Sequence, residues 1–210
     1  MGKQQPNSLK GYYLTRLCNA GTNPFDSVTD LAREAAAVFC AKNAPNRHVD
    51  VKNEAGENDQ FAYIDVRLKG EQWLREQAIA AGVTPQRENC VYFCLSRDPG
   101  VQPESPRMQR ISIPAESIDL STCSFTYHDS FAHFPSERDK APDFPLRGKV
   151  MNQHDVAKLL ETEDLPGIYG DFTNKNPVYI EVQMWARPKG PVPNVAAPRP
   201  ALKNTPKPAQ

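Results

Sequence analysis

The chain has 210 residues, of which 39% are hydrophobic and 24% charged, and this length and composition predict one domain with a moderate core. Its net charge is zero, but residues 187–210 contain five Lys or Arg and no acid, so the preceding part is acidic by five charges. An acidic body argues against a general nucleic-acid-binding protein, whose affinity comes from basic surface. It leaves open an enzyme that acts on a nucleic acid or on a basic protein.

The N-terminus lacks the apolar segment of a signal peptide, and no apolar stretch is long enough to cross a membrane. The five cysteines are odd in number and most lie in apolar runs, which indicates free thiols in a reducing compartment. We therefore expect a cytoplasmic protein without a membrane partner. Delivery into another cell by a secretion system stays open.

The first part of the chain predicts a mixture of strands and helices. Residues 1–9 are expected to be flexible, and residues 11–17 alternate as a strand. A helix is expected to begin near Asp26 or Ser27, since either side chain can cap it. Its predicted core-facing residues recur at helical spacing. These residues are Val28, Leu31, Ala35, Val38 and Phe39.

The middle of the chain continues this mixture. The polar residues 43–59 predict a surface loop, and the alternation of apolar residues from Ala62 to Leu68 predicts a second strand. A second helix is expected over residues 70–81, with Gly82 ending it in a left-handed conformation.

The chain from residue 89 onward predicts most of the sheet. Residues 89–95 (NCVYFCL) are apolar on both faces and predict a central strand. Further strands are expected at 108–113 and, after a turn, within 117–127. The loop 131–149 is long enough for a lid or binding loop, and Asn152 is expected to cap a third helix. The fold class is therefore α+β, with a mostly antiparallel sheet, either single or split, and about three helices.

The end of the chain differs in composition. Seven prolines occur between Arg187 and Gln210, together with basic residues and no apolar period. We therefore expect an α+β domain over residues 10–187 and a disordered, basic, Pro-rich tail over residues 188–210. Such a tail is an unstructured end, a tether or a short Pro-rich ligand for a protein partner.

The strand at residues 177–185 (PVYIEVQMW) carries the main candidate for chemistry. Its even-numbered apolar residues predict a core face. On the other face Glu181 and Gln183 stand between two aromatics, Tyr179 and Trp185. A carboxylate between aromatic side chains suits a ligand cleft, where it can bond a hydroxyl or stabilise positive charge. The alternative is a half-exposed strand with no site.

Common catalytic motifs are missing from the sequence. It has no Gly-rich phosphate loop, no nucleophile elbow and no His pair at zinc spacing, and we expect no metal site. His128, Asp129 and Ser130 include the residue types of a triad. Adjacent residues point apart, however, and triads are assembled from separate segments.

Four apolar strand segments carry polar residues that suit a dinucleotide such as NAD. Arg16 can bind a phosphate bidentately, and Tyr13, Tyr92 or Tyr127 can stack on a flat ring. Glu181 can hydrogen-bond a ribose hydroxyl and stabilise an oxocarbenium-like transition state. The alternative is that the tyrosines lie in the core or its rim and that Arg16 pairs with a surface acid.

The order of the segments YYLTR (residues 12–16), VYFCLS (91–96) and YIEVQMW (179–185) resembles the ADP-ribosyltransferase fold, and within it DarT-like toxins and related bacterial proteins. The resemblance implies a transferase that uses NAD as substrate. It assigns catalytic roles to Glu181 and Arg16. The NAD-binding residues it implies are Tyr13, Thr15, Tyr92, Ser96 and Tyr127. The residue two before Glu181 is Tyr179 rather than Gln or Glu, which argues against the arginine-modifying subgroup.

Three functions follow from these observations. The first is an ADP-ribosyltransferase-like toxin or effector that modifies a macromolecular target, either protein or nucleic acid. The second is a non-catalytic interaction protein, such as a secreted effector, adaptor or phage accessory protein. It would bind through its acidic body and Pro-rich tail. The third is a phosphate-ester or nucleotide hydrolase that uses His128 and Asp129.

Overall fold

The computed structural model describes residues 9–43, 61–135, 146–162 and 179–196. Together they form an α+β fold with six strands and three α-helices, which confirms the expected class. The strands are β1 (Tyr13–Asn19), β2 (Val91–Ser96), β3 (Met108–Pro114), β4 (Cys123–Tyr127), β5 (Val150–Met151) and β6 (Ile180–Met184). The helices are α1 (Arg33–Asn43), α2 (Ala62–Ala80) and α3 (Gln153–Thr162). None of these helices is both long and apolar enough to cross a bilayer.

The six described strands form a single sheet rather than a split one, in the order β3-β1-β2-β6-β4-β5, and every neighbouring pair is antiparallel. The predicted central strand, β2, does lie inside the sheet, between β1 and β6. β6 joins the first three strands to β4 and β5, so the strand with Glu181 lies near the middle of the sheet.

One face of the sheet carries the main hydrophobic core. The even-numbered residues of β6 are Ile180, Val182 and Met184, and all are buried there as their alternation predicts. Helix α3 covers part of this face with Val156 and Leu160. Asn152 caps α3 as expected, because its Oδ1 accepts hydrogen bonds from the backbone N–H groups of residues 154 and 155.

Helix α2 packs on the other face of the sheet. Its residues Leu74 and Ala78 belong to a buried cluster with Phe134 and Trp185. Gly70 of α2 lies directly against the Phe134 ring of this cluster, and a Cβ at this position would stand 2.1 Å from the ring. Gly82 follows α2 with a φ of 86°, in the left-handed conformation expected of it.

The predicted strand at residues 62–68 is wrong, because this segment is the first two turns of α2. Its apolar residues alternate, but the helix also buries polar residues on its inner face. Glu71 is fully buried, and the side chain of Arg67 is 13% exposed. A pattern of apolar residues alone therefore does not reveal which face of this helix is buried.

The expectation for the first helix is corrected in two respects. Ser27 precedes a 3₁₀ turn (Val28–Asp30), and α1 itself begins only at Arg33. The core-facing side also differs, since Leu31, Val38 and Phe39 are 44%, 69% and 41% exposed. The buried side of α1 consists of small residues that pack against Tyr63 and Ile64 of α2. These residues are Ala36, Ala37 and Cys40.

Several predicted segments lie partly or wholly outside the described residues. The surface loop predicted at 43–59 is one of them, and so are residues 136–145 of the long loop. The long loop begins, in its described part, with a 3₁₀ turn (Ser130–His133). Residues 1–8 and 197–210 also lie outside the described residues.

Part of the Pro-rich segment lies along the edge strand β3. The Val195 backbone N–H donates to the carbonyl of Ser112 at 2.9 Å. The Asn194 side chain accepts from the Ser112 N–H at 2.9 Å and donates to the carbonyl of Arg110 at 3.1 Å. Contacts with the sheet therefore continue beyond residue 187, where the expected tail begins.

The close contact at Gly70 gives a test of the packing of α2. Gly70→Ala should destabilise the protein by about 1–3 kcal/mol, because the added methyl group forces the Phe134 ring to move. The expected loss of stability is opposite in sign to the effect of helix propensity, which favours Ala over Gly by about 1 kcal/mol. Urea unfolding measures the difference. Gly190→Ala is the control, since nothing lies within 4 Å of its added Cβ; equal stability of the two variants would contradict this packing.

Candidate functional site

Glu181 lies in a row of residues that crosses four strands. The register pairs Thr15 of β1 with Cys94 of β2, Cys94 with Glu181, and Glu181 with Thr126 of β4. Paired residues of antiparallel strands point to the same face. These four side chains therefore share the sheet face on which α2 packs.

The Glu181 carboxylate is held through one oxygen. Its Oε1 accepts hydrogen bonds from the backbone N–H of Ser130 and from the Gln183 side-chain amide, both at 3.1 Å. Among the described residues, Oε2 has no hydrogen-bond partner. The residue keeps part of its surface accessible, while its neighbours Thr126 and Gln183 are fully buried.

A chain of side-chain hydrogen bonds continues from Gln183 towards Trp185. The Gln183 amide also donates to Thr126 Oγ1 at 2.9 Å, and its Oε1 accepts from the Ser124 hydroxyl at 2.9 Å. Ser124 Oγ in turn accepts from the Trp185 indole N–H at 2.8 Å. This chain fixes the orientation of the Gln183 amide, so its N–H donors are directed at Glu181 and Thr126.

Helix α2 places an ion pair above the same face. Arg67 Nε donates to Glu71 Oε1 at 3.2 Å, and its guanidinium lies 4.1 Å from the centre of the Tyr92 ring. Glu71 also accepts hydrogen bonds from the Tyr92 hydroxyl at 3.0 Å and from Thr29 Oγ1 at 2.9 Å. A fully buried carboxylate with three donors is a structural junction between α2, β2 and the 3₁₀ turn before α1.

Burial raises the pKa of Glu181 from its ordinary value of 4.5 to about 7, and the negative charge of Asp129 acts in the same direction. The hydrogen bond from Ser130, the charge of Arg67 and the hydrogen bond from Gln183 lower this pKa and so oppose the shift. Glu181 therefore titrates close to neutral pH. Such a pKa is typical of carboxyl groups that take part in proton transfer or ligand binding.

The turn after β4 brings backbone strain to the site. His128 has a φ of 74°, which is uncommon for a residue with a side chain. Its ring lies against the rings of Tyr127 and Tyr179, at centroid distances of 5.8 and 5.7 Å. The turn directs the Ser130 N–H at Glu181. Strained conformations of this kind are concentrated at functional sites.

The possible triad of His128, Asp129 and Ser130 is not assembled as one. Asp129 Oδ1 accepts from the backbone N–H of Phe131 at 2.9 Å and caps the 3₁₀ turn. The Ser130 hydroxyl is buried without a hydrogen-bond partner among the described residues.

His133, the other histidine near this turn, has a structural role. Its Nδ1 accepts from the Gly148 N–H at 2.9 Å, so its Nε2 carries the proton and donates to the Tyr127 carbonyl at 2.7 Å. The ring thereby ties the end of β4 to the segment before β5.

The expected site residues fall into two groups. Thr15 and Tyr92 lie on the face of Glu181, although the Tyr92 hydroxyl is bonded to Glu71 and Thr15 Oγ1 donates to the Cys94 carbonyl at 3.2 Å. Tyr13 shares this face at the end of β1, opposite Ser96. The Ser96 hydroxyl is engaged in its own turn, where it bonds to the backbone of residue 98.

Arg16 and Tyr127 point to the opposite face. Arg16 follows Thr15 in β1, and its guanidinium lies over the Phe93 ring and donates to the carbonyls of residues 24 and 26. Burial lowers the pKa of Arg16. Tyr127 pairs with Ile180 and packs against the main core. The structure therefore does not bring these two residues together with Glu181.

The sequence alone does not point to Arg67 and Glu71, indicates Ser130 only as a member of a possible triad, and indicates no role for Gln183. The pair at 67 and 71 has the spacing of an i,i+4 ion pair, but this signal appears only once the segment is recognised as a helix. Within the described ranges, no group of three or more His, Cys, Asp or Glu side chains could hold a metal ion.

No protein-family model, curated protein or solved structure matches this chain. The chemistry of the site is therefore inferred from its own geometry.

The pKa of Glu181 predicts a stability change with pH. Between pH 4.5 and about 7 the folded protein holds a proton that the unfolded chain has released, so stability falls as pH rises through this window. Glu181→Gln removes the ionisation. Relative to wild type, the variant should be more stable at pH 8 than at pH 4 by on the order of 3 kcal/mol, since each unit of pKa shift corresponds to about 1.4 kcal/mol.

Urea unfolding at several pH values measures this gain. The control is Glu116→Gln, which makes the same substitution at an exposed position outside the site. A constant difference between wild type and Glu181→Gln across the range would show that Glu181 does not titrate as described.

Proposed function

We propose that the protein is an ADP-ribosyltransferase-like enzyme, of toxin or effector type, that binds NAD and transfers ADP-ribose to a macromolecular target. The observation that supports this is the state of the Glu181 carboxylate. It lies on an interior strand, two donors hold its Oε1, and its Oε2 has no partner among the described residues. A ligand hydroxyl can donate to Oε2 without displacing an existing bond.

The transfer would break the bond between the nicotinamide nitrogen and the ribose carbon. Nicotinamide leaves with the bonding electrons, and positive charge develops on the ribose. The target nucleophile then bonds to this carbon and releases its proton to a base or to solvent. Glu181, once ionised, stabilises the charge and accepts a hydrogen bond from a ribose hydroxyl. A preorganised carboxylate is effective here because its surroundings are partly shielded from water.

The surrounding residues support particular roles. Tyr13 lies on the face of Glu181 and is partly exposed, so it is retained as a candidate for contact with NAD. Thr15 lies on the same face, but it is buried and its hydroxyl donates to the Cys94 carbonyl, so it supports the site from below. Arg16 is left out of the proposal, since its guanidinium is engaged with backbone carbonyls on the opposite face. Arg67 is the cation whose charge acts on Glu181. It favours the ionised form that the reaction requires.

NAD binding and cleavage test the proposal without knowledge of the target. Saturating NAD should stabilise wild type by about 2.7 kcal/mol at a hundredfold excess over the dissociation constant. Wild type should also release nicotinamide slowly, with water as the acceptor. Glu181→Gln should lower that rate by about 10²–10³-fold, a typical loss for a group that stabilises transition-state charge.

Glu116→Gln is the matched control and should behave as wild type in both assays. Absence of an NAD-dependent shift in thermal unfolding, together with absence of nicotinamide release, would exclude the transferase function. Binding studies with the Pro-rich segment removed would then test the interaction-protein alternative.

The same assay has a predicted pH dependence. Because the ionised carboxylate is the active form and its pKa is about 7, kcat/KM for NAD cleavage should rise with pH through about 7 and then level. A rate that falls over this range would instead indicate that the protonated carboxyl is the active form.

A further inference from the structure

The Ser130 hydroxyl is the starting point, because it is a buried polar group without a partner. Ser130 is fully buried, and its Oγ has no hydrogen-bond partner within the described part of the chain. Nearly all buried hydroxyls in folded proteins are hydrogen-bonded, and an exception calls for an explanation. Ser124, a buried serine on the same face of the sheet, has two partners, Gln183 and Trp185.

The position of Ser130 suggests what its hydroxyl can reach. Its own backbone nitrogen lies 3.1 Å from Glu181 Oε1. The Oγ of a serine is about 3 Å from its own nitrogen and moves among three staggered positions about χ1. Rotation about this one side-chain bond is thus the movement that would turn the hydroxyl towards Glu181.

The charged and titratable groups around Glu181 come from three elements. Asp129 acts from the turn after β4, Arg67 from α2, and Tyr92 and Cys90 from β2 or the residue before it. Arg67 donates to Glu71 through Nε and to the Tyr63 hydroxyl through Nη1, and within the described residues it makes no hydrogen bond to Glu181. Within the described residues, the only hydrogen bonds to Glu181 are those from the Ser130 N–H and Gln183. A third hydrogen-bond donor would therefore stabilise the ionised form of Glu181.

We propose that Ser130 is a positioning residue for Glu181, whose hydroxyl turns to donate a hydrogen bond to the carboxylate when Glu181 loses its proton. While Glu181 is protonated, the hydroxyl stays without a partner. A donor that gains its bond only as negative charge forms stabilises the ionised state selectively. The strained turn at His128 holds the segment against β6, so this donor does not have to be brought in from elsewhere.

The effect of Ser130 on protonation is independent of any ligand, whereas its effect on turnover rests on the proposed function. Ser130→Ala should leave stability near the wild-type value at pH 5, where the hydroxyl has no partner. At pH 8 the variant should be less stable than wild type. In wild type the fall of stability with pH levels off above the pKa of Glu181. In Ser130→Ala, loss of a hydrogen bond to the charged carboxylate should raise the pH at which stability levels off by about one unit.

Urea unfolding from pH 4 to 9 provides the measurement, with four proteins in a double-mutant cycle. These are wild type, Ser130→Ala, Glu181→Gln and the double variant. In the Glu181→Gln background the pH-dependent effect of Ser130→Ala should disappear, since no carboxylate forms. Should Ser130→Ala fail to fold, Ser130→Cys retains a weak donor of similar size and should shift the transition by a smaller amount.

Ser112→Ala is the matched control. Ser112 is a fully buried serine on the edge strand β3, and its hydroxyl donates to the Pro99 carbonyl, away from Glu181. Its loss should destabilise the protein equally at every pH. If Ser130→Ala also changes stability equally at pH 5 and pH 8, or keeps its pH-dependent effect in the Glu181→Gln background, the positioning role is wrong and the hydroxyl has a fixed structural part.

NAD cleavage then separates this inference from the proposed function. With both correct, Ser130→Ala should shift the pH profile of kcat/KM upward by the amount seen in unfolding. If wild type neither binds nor cleaves NAD but the double-mutant cycle behaves as described, the transferase function fails and the role of Ser130 stands. If wild type cleaves NAD and Ser130→Ala leaves the pH profile unchanged, the transferase function stands and the positioning role of Ser130 is wrong.

Discussion

The burial of a polar row beneath a helix is the constraint on which the rest of this structure depends. A sheet face covered by a helix is normally apolar, and buried polar groups destabilise a protein unless they are hydrogen-bonded. Here the face carries Gln183, Ser124 and Thr126, all fully buried. Their mutual hydrogen bonds leave little freedom to each side chain. Glu181 lies at the accessible end of this network. The orientation of its carboxylate is set by the Gln183 amide, whose own position the network fixes.

The same constraint determines how α2 is attached. The helix brings its own polar pair, Arg67 and Glu71, into the covered region, and Glu71 satisfies donors from three separate segments. Its pKa is raised by burial and lowered by these partners. The pair therefore couples the position of the helix to that of Tyr92 and, through the charge of Arg67, to the ionisation of Glu181. Packing and electrostatics are not separable at this site.

The sequence allows β2 and β6 to be predicted and places Glu181 on the face of β6 opposite the core, but it does not predict the network around this residue. Strict alternation identified β6 and its core face, and an apolar run identified β2 as an interior strand. Helix α2 was divided wrongly because Arg67 and Glu71 are polar residues on a buried face, where periodicity of apolar residues gives no signal. Arg16 was grouped with Glu181 because sequence shows that a residue lies on a strand but not which face its register selects. The role of Ser130 depends on a turn after β4 that no local pattern encodes.

The strand order has a consequence for how the protein is made. Strands β1, β2 and β3 lie within residues 13–114, and β4 and β5 lie within residues 123–151. In the described sheet the two groups are joined by β6, at residues 180–184. During synthesis the two groups of strands are therefore present before the strand that connects them. Contacts of this kind, between residues distant in sequence, slow folding. Because β6 also carries Glu181, a nascent chain cannot hold the carboxylate in its finished surroundings until almost the whole domain has left the ribosome.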